Sequence, residues 1–322
     1  MGELILPLLR KEITLMKIER HIAQGFGKGE LYDVLIALQL ESGVLPTAGK
    51  TYFVSKQGNN TDGSSWASAY TTLEAAITAS NTWVTTYVNV MNRIYVDGGN
   101  YTESLVAFPN HCEIIGVGTM SDGPRVNAST LIANAPSICH IYHMQFRTAT
   151  AAPILDLGDT AQGVWLVDCL FNCVSGIQAT IGVDVGDGGY YNKIINCRFI
   201  GTPSMTKGIV FSGAANAFCD IIGNEISAVT SGIEFTGNSA GSYSDYQIYI
   251  KDNVICRSDA QQGGDQLVTG ISLLDSQSRS KIMIVHNWVA AATPFSGHST
   301  NHCIENHVNI AGNGAVLVEE ET

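Results

Sequence analysis

Charge is scarce in this chain of 322 residues: 14% are Asp, Glu, Lys or Arg, and 17 basic residues face 29 acidic ones. The net charge of −12 argues against nucleic acid or an anionic membrane as partner, because both are bound through basic patches. No apolar run reaches the roughly 18 residues that a transmembrane helix needs. Within the first twenty residues, Arg10, Lys11, Glu12 and Lys17 interrupt the apolar stretch, which speaks against a secretory signal peptide. Phosphate loops, nucleophile elbows, dinucleotide fingerprints and H-E-x-x-H spacings are all missing. Of the eight cysteines (Cys112, Cys139, Cys169, Cys173, Cys197, Cys219, Cys256 and Cys303), none forms a C-x-x-C pair. Buried thiols are the expectation, with one or two disulfides as the alternative and zinc third. Thiols imply synthesis in a reducing cytoplasm.

What is present is repetition. A phrase of the form apolar-x-x-[Asn/Cys/Met]-x-apolar recurs from Ile141 to Val308, its fourth position filled by Met144, Cys169, Cys197, Asn224, Asn253, Asn287 and Asn306. A period of roughly 20 to 50 residues marks a solenoid or array. A second phrase rides between the copies: Val183-Asp184-Val185, Ile209-Val210-Phe211, Ile233-Glu234-Phe235, Ile271-Ser272-Leu273 and Ala315-Val316-Leu317, each preceded by glycine. Leu155-Asp156-Leu157 has the same form. Its period of two reads as strands with one buried and one wet face.

Each repeat therefore predicts a strand, a one-residue bend, a second strand, a glycine turn and a third strand. Segments this short suit one coil of a parallel β-helix, with coils about 4.8 Å apart. Asn224, Asn253, Asn287 and Asn306 would stack as a ladder at the bend, where asparagine tolerates the left-handed conformation. Cys169 and Cys197 would fill the same slot as small buried residues.

The spacing resembles that of pectin-lyase-like right-handed β-helix proteins, over about residues 50–318. So does the run at 51–77, with Gly58, Asp62, Trp66 and the Thr71-x-x-Glu74 capping box, followed by residues 94–101. The resemblance implies a first strand, an N-terminal cap helix over about residues 71–80, and then the first coil. It identifies an all-β fold: a single-stranded right-handed parallel β-helix over residues 47–322, with a small N-terminal α-helical appendage. It leaves activity open, because lyases, hydrolases, esterases and non-catalytic viral spikes share the fold.

Residues 1–46 form that appendage. Helical spacing recurs there twice, the second time over about residues 30–42, where Leu31, Val34, Leu35 and Leu38 make one apolar stripe. So small a helical pair cannot bury both stripes alone. It is expected either to close the mouth of the solenoid or to attach the chain to another particle protein or to copies of itself.

Three constellations could carry chemistry. Leu155-Asp-Leu-Gly-Asp159 recurs as Val183-Asp-Val-Gly-Asp187, so Asp156 and Asp184 would face outward on adjacent coils, with Glu234 further along. Such carboxylates could act as general acid and base on a glycan, or could invite calcium. They are equally readable as solvated acids, with no cofactor or metal at all. Trp165, Tyr190, Tyr191, Tyr243, Tyr246 and Trp288 could present aromatic faces to a sugar, or pack. The histidine groups His140 with His143, and His298, His302 and His307, lack tight ligand spacing. A lyase would need a base near the repeated acids, but Lys193, Arg198, Lys251 and Lys281 are scattered.

The expected function is a structural and binding component of a virus or phage particle, made in the host cytoplasm and anchored through residues 1–46. Tailspike, fibre and capsid-decorating proteins are the models, and the resemblance adds a homotrimer and a polysaccharide ligand. The alternative is a carbohydrate-active enzyme, a glycoside hydrolase before a lyase, using Asp156, Asp184 and Glu234.

Overall fold

The computed structural model describes residues 49–87, 90–103, 105, 109–117, 124–128, 137–148, 151–173, 179–200, 205–213, 216–236, 247–256, 267–273, 282–297, 303–304, 306–309 and 315–318. The predicted appendage, with Leu31, Val34, Leu35 and Leu38, lies outside the described residues. So do Tyr243, Tyr246, Lys281, His298 and His302.

Strands are numbered in chain order. One sheet of ten strands runs β1 (Thr51–Val54), β2 (Asn92–Val96), β4 (Cys112–Gly116), β6 (Ser137–Tyr142), β9 (Gln162–Val167), β12 (Lys193–Ile195), β15 (Asp220–Ile222), β17 (Ile248–Lys251), β20 (Ile282–Val285) and β22 (Cys303–Ile304). A second sheet has fourteen strands. Its main path is β3 (Asn100–Thr102), β5 (Arg125–Ala128), β7 (Gln145–Thr148), β10 (Leu170–Cys173), β13 (Arg198–Ile200), β16 (Glu225–Phe235), β18 (Val254–Cys256), β21 (Trp288–Ser296), β23 (Asn306–Asn309) and β24 (Ala315–Val318). A side ladder of β8 (Leu155–Asp156), β11 (Ile181–Val185), β14 (Met205–Phe211) and β19 (Leu267–Leu273) joins it through β16 and β21. The chain visits the first sheet, the main path and the side ladder in turn, then returns one strand further along. The fold is mostly β, with one helix among the described residues, and its long parallel ladders are consistent with a solenoid. Two sheets carry the strands, rather than one.

The repeated phrases explain this packing. Apolar positions point inward: Ile94, Ile114, Ile141, Leu166, Ile194, Ile221, Ile250 and Ile284 stack in register on the first sheet, all buried. On the main path Phe146, Phe171 and Phe199 stack with centroids 5.5 and 4.7 Å apart, and Phe211 stacks on Phe235 in the side ladder at 4.5 Å. Gly182, Gly208, Gly232 and Gly270, each ahead of a triplet, make room. A Cβ on Gly208 would stand 2.4 Å from Ile226 Cγ2, and one on Gly232 would stand 2.2 Å from Ile255 Cγ2.

The asparagine ladder forms as the spacing predicts, but the bend sits one residue earlier. The left-handed residues are His143, Asp168, Asn196, Asp252 and His286, with φ between 52° and 55°, and Gly223 at 68°. They carry the chain round the corner and leave the next residue free to point inward. Asn224, Asn253, Asn287 and Asn306 are therefore buried. Each is held by its amide rather than by its own backbone conformation. Asn253 Nδ2 donates to Ile221 O on the preceding coil at 3.0 Å and to Asn287 Oδ1 on the following one at 2.9 Å. Cys197 occupies the slot as expected, its backbone N–H donating to Asn224 Oδ1 at 2.8 Å.

Two further expectations are corrected. The cap helix, α1, spans Leu73–Thr86 and is capped by Thr72, whose hydroxyl accepts from Ala75 N, in place of a Thr71–Glu74 box. Glu103, from beyond β3, completes the cap by accepting from the N–H groups of Leu73 and Glu74 at 3.0 and 2.9 Å. A carboxylate there also suits the positive end of the helix dipole. At the other end Ala315-Val316-Leu317 is no coil strand. It lies in β24, antiparallel to β23, the one antiparallel pairing among the described strands. Cys112, Cys139, Cys169, Cys173, Cys197, Cys219 and Cys256 are all free thiols. Burial pushes the Cys112 thiol up to about 12, so it stays protonated and unreactive.

Candidate functional site

Two outward surfaces carry the polar and aromatic side chains singled out by the repeat. The first is the outer column of the side ladder. In register it reads Asp156, Asp184, Val210, Glu234, Ser272 and Ser296. Strand alternation puts Leu155, Val183, Ile209, Ile233 and Ile271 into the core and turns this column away from it, although Val210, Glu234 and Ser272 are themselves buried. Asp156 and Asp184 are thus brought together on adjacent coils. Glu234 is not. Val210 stands between it and Asp184, and its carboxylate is taken by Lys207 Nζ at 2.7 Å, with the acid only 7% exposed.

The two aspartates differ in environment. Asp156 Oδ1 accepts from Gly158 N at 2.8 Å, closing a tight turn. Asp184 holds one buried oxygen, Oδ1, without a hydrogen-bond partner. Burial raises its pKa above the ordinary 3.8, and the charges of Asp156 and Asp159 raise it further, while a hydrogen bond from Ser212 and the charge of Lys207 pull the other way. Such a carboxyl keeps its proton to higher pH than an ordinary aspartate does, a property a general acid needs. Asp159 serves the backbone instead, its Oδ1 accepting from Asp187 N at 3.0 Å. Among the described residues no group of three or more His, Cys, Asp or Glu side chains converges as a metal site would require.

The second surface is the outer face of the first sheet. Its central column reads Arg93, Glu113, His140, Trp165, Lys193, Asp220, Tyr249 and Met283. Neighbours in this column pair with one another. Arg93 Nε bonds Glu113 Oε2 at 2.7 Å, and Lys193 Nζ meets Asp220 Oδ2 at 3.0 Å. His140 and Trp165 stack with centroids 4.1 Å apart and planes 14° from parallel, and Lys193 Nζ lies 5.0 Å from the Trp165 centroid. Trp165 therefore has a ring on the coil before it and a cation on the coil after it. Burial lowers the pKa of His140, which keeps the stacked imidazole neutral. His143 lies at the corner instead, its Nε2 3.4 Å from Asp168 Oδ2.

The flanking columns of this face are apolar, and one was missed by sequence reasoning. On one side run Tyr95, Ile115, Tyr142, Val167, Ile195 and Ile222 in register. On the other is a corner where Ile138, Tyr191 and Phe218, all exposed, adopt left-handed φ of 52°, 59° and 56°. Tyr191 stacks on Phe218 at 4.9 Å, and Tyr190 beside it is 36% exposed. The left-handed region is costly for a β-branched residue such as Ile138. The corner was legible only as the coil period of residues 138, 163, 191 and 218. A minor asparagine pair under it was also missed: Asn192 Oδ1 accepts from Val164 N at 2.9 Å, and Asn216 Oδ1 accepts from Gly189 N at 3.0 Å.

No helix among the described residues is long and apolar enough to cross a membrane. No family model matches this sequence, and no curated protein does. Among solved structures, the chain is similar to ORF18 of Geobacillus virus E2, with a TM-score of 0.40 and 9% identity. The match covers 75% of this chain and 59% of the viral protein, a likeness too slight for fold or role to be read across.

Proposed function

We propose that this chain works by contact rather than by turnover, as a structural and binding component of a virus or phage particle. The observation that carries this reading is the outer face of the first sheet. Parallel sheets are ordinarily covered on both faces, yet this one turns Ile138, Tyr191, Phe218, Tyr249 and Met283 to solvent. A row of exposed apolar groups on a rigid scaffold marks a surface made for a partner. The viral setting is supported by the resemblance to β-helix spikes and by a segment of helical spacing ahead of the coils. On this reading residues 1–46 dock on another particle protein, the solenoid is the single right-handed β-helix of that family, and the chain is a homo-oligomer. Right-handed crossovers between parallel strands of one sheet are the near-universal rule. Polysaccharide is the proposed further ligand, at Tyr190. Immunogold electron microscopy with antibodies to the purified chain tests the placement. Gold on intact particles supports it, and gold confined to unassembled protein in the lysate sinks it.

One observation favours a second reading. Asp184, with its raised pKa and unpartnered oxygen, stands beside Asp156 as a proton donor beside a base would in a glycoside hydrolase. Calcium bridging the same pair is the remaining proposal there. Glu234 has no part in either, because Lys207 already neutralises it. The readout for hydrolysis is polysaccharide chain length, which Asp184→Asn would leave intact.

A further inference from the structure

The central column of the first sheet's outer face has an order that chance pairing does not require. Read from Arg93, it runs cation, anion, ring, ring, cation, anion: Arg93, Glu113, His140, Trp165, Lys193, Asp220. Reversed end to end, the same column runs anion, cation, ring, ring, anion, cation. The face is therefore complementary to its own inverse. Laying one copy on another with the coil order reversed sets Arg93 against Asp220, Glu113 against Lys193 and His140 against Trp165.

The flanking columns obey the same inversion. Tyr95 meets Ile222, Ile115 meets Ile195, and Tyr142 meets Val167, so that column closes apolar on apolar. At the corner the exposed Ile138 falls opposite Gly163, which the same chain's Ile138 already flanks, so the two copies' Ile138 side chains come together about the axis, and His111 falls opposite Tyr191. One coil further out, Phe53 meets Lys251, a cation over a ring. A two-fold axis parallel to the strands, passing between the coils of His140 and Trp165, generates every one of these pairs. Each occurs twice, as an isologous contact must.

We propose that two copies of this chain associate through these faces, antiparallel along the coil axis. The charge order also discriminates against a parallel arrangement. With coils side by side at equal height, Arg93 would lie level with Arg93, Glu113 with Glu113 and Lys193 with Lys193, and like charges facing each other oppose association. The antiparallel pairing turns each ion pair within a chain into a four-charge network across the interface. It also covers the corner, where Ile138, in a left-handed conformation, is otherwise 43% exposed. The contact spans eight coils, roughly 34 Å. Its width of a few residues places it among the smaller specific interfaces, so it forms at high protein concentration. The inference goes beyond the particle reading, and its failure would leave particle labelling untouched.

Light scattering of the full chain at several concentrations provides the test. The wild-type mass should approach twice 34.4 kDa as concentration rises. Exchanging only one pair, Arg93→Glu with Glu113→Arg, keeps the bond within the chain but sets like charges across the interface. It should weaken dimerisation at least tenfold. Exchanging the second pair as well, Lys193→Glu with Asp220→Lys, should restore it. Ile138→Asp is an independent variant at an exposed site where aspartate tolerates the backbone. It should fold as well as wild type or better, yet remain monomeric. A wild-type mass of one or three chains overturns the proposal. So does a single-pair exchange that dimerises as wild type does, or a double exchange that fails to recover while remaining folded.

Discussion

Asn224 donates both its backbone N–H and its side-chain amide to a single atom, Oδ1 of Asn253, each at 2.9 Å. The relation repeats from Asn253 to Asn287 and from Asn287 to Asn306. From the coil of Asn224 to that of Asn306, each coil thus hangs on the next through one buried amide oxygen.

Replacing Asn253 with alanine leaves the Asn224 backbone N–H and one of its two amide hydrogens without an acceptor, the other still reaching Ile194 O, and removes the donor to Ile221 O. Each buried group so orphaned costs on the order of 1–3 kcal/mol. Urea denaturation of Asn253→Ala should show a loss of at least ~2 kcal/mol. Asn253→Asp keeps the acceptor but sets a buried carboxylate oxygen against Ile221 O and Asn287 Oδ1, so it should also lose stability at neutral pH, and the loss relative to wild type should shrink as pH falls and the carboxyl gains a proton to donate. A loss independent of pH would mean this donor is not what matters.

Gly232→Ala tests the corner packing. A Cβ there meets Ile255 Cγ2 at 2.2 Å and Gly270 O at 2.7 Å, and overpacking of this kind costs about 1–3 kcal/mol. Trimming the neighbour with Ile255→Ala removes Cγ2 itself and leaves only Cβ, 3.6 Å away, in ordinary contact. The double variant should therefore be less destabilised than the sum of the singles. Strict additivity, measured by thermal or chemical unfolding, would refute the steric account.

Lys207→Met should strand the Glu234 carboxylate, which is nearly buried and bonded to Lys207 at 2.7 Å. Losing one partner of a fully buried pair costs about 3–5 kcal/mol, and Lys207 is partly open to water, so about 2–3 kcal/mol is expected. Adding Glu234→Gln should recover most of it. A Lys207→Met variant as stable as wild type would show that the pair is not holding the side ladder.

The pH dependence of Asp184 has a definite sign. Its folded pKa is raised, chiefly by burial, so between the unfolded and folded values the native state binds more protons than the unfolded chain. Stability contributed by this group is then full below the unfolded value near 3.8 and is lost as pH rises through the folded value. Other carboxylates also titrate here, so the difference between wild type and Asp184→Asn isolates the effect. The Asn variant should gain stability relative to wild type as pH rises from about 4 to 7. A constant gap would remove Asp184 from the account.

The repeat made the coil legible because its register is set by the spacing of Ile141, Leu166, Ile194, Ile221, Ile250 and Ile284, and period two then fixes which neighbours face out. Asp156 and Asp184 were placed together by that logic alone. Glu234 stands two coils further along, as the spacing has it, with Val210 between; what coil counting does not reveal is the diagonal reach of Lys207, which takes its carboxylate. The bend was assigned to the asparagines because asparagine favours the left-handed region, but the corner is carried by dissimilar residues, from Asp168 to His286. Their variety hid them. The outer face of the first sheet was missed for a related reason: His140, Trp165, Lys193 and Asp220 are far apart in the chain, and only parallel registration shows their order.

Whether the chain performs chemistry can be measured directly by the molecular mass of a panel of purified polysaccharides, recorded by size-exclusion chromatography before and after incubation with it. Contact without turnover predicts unchanged chain lengths for wild type and for Asp184→Asn alike. A fall in chain length with wild type, abolished in a folded Asp184→Asn variant, would contradict that account and make Asp156 and Asp184 an active site.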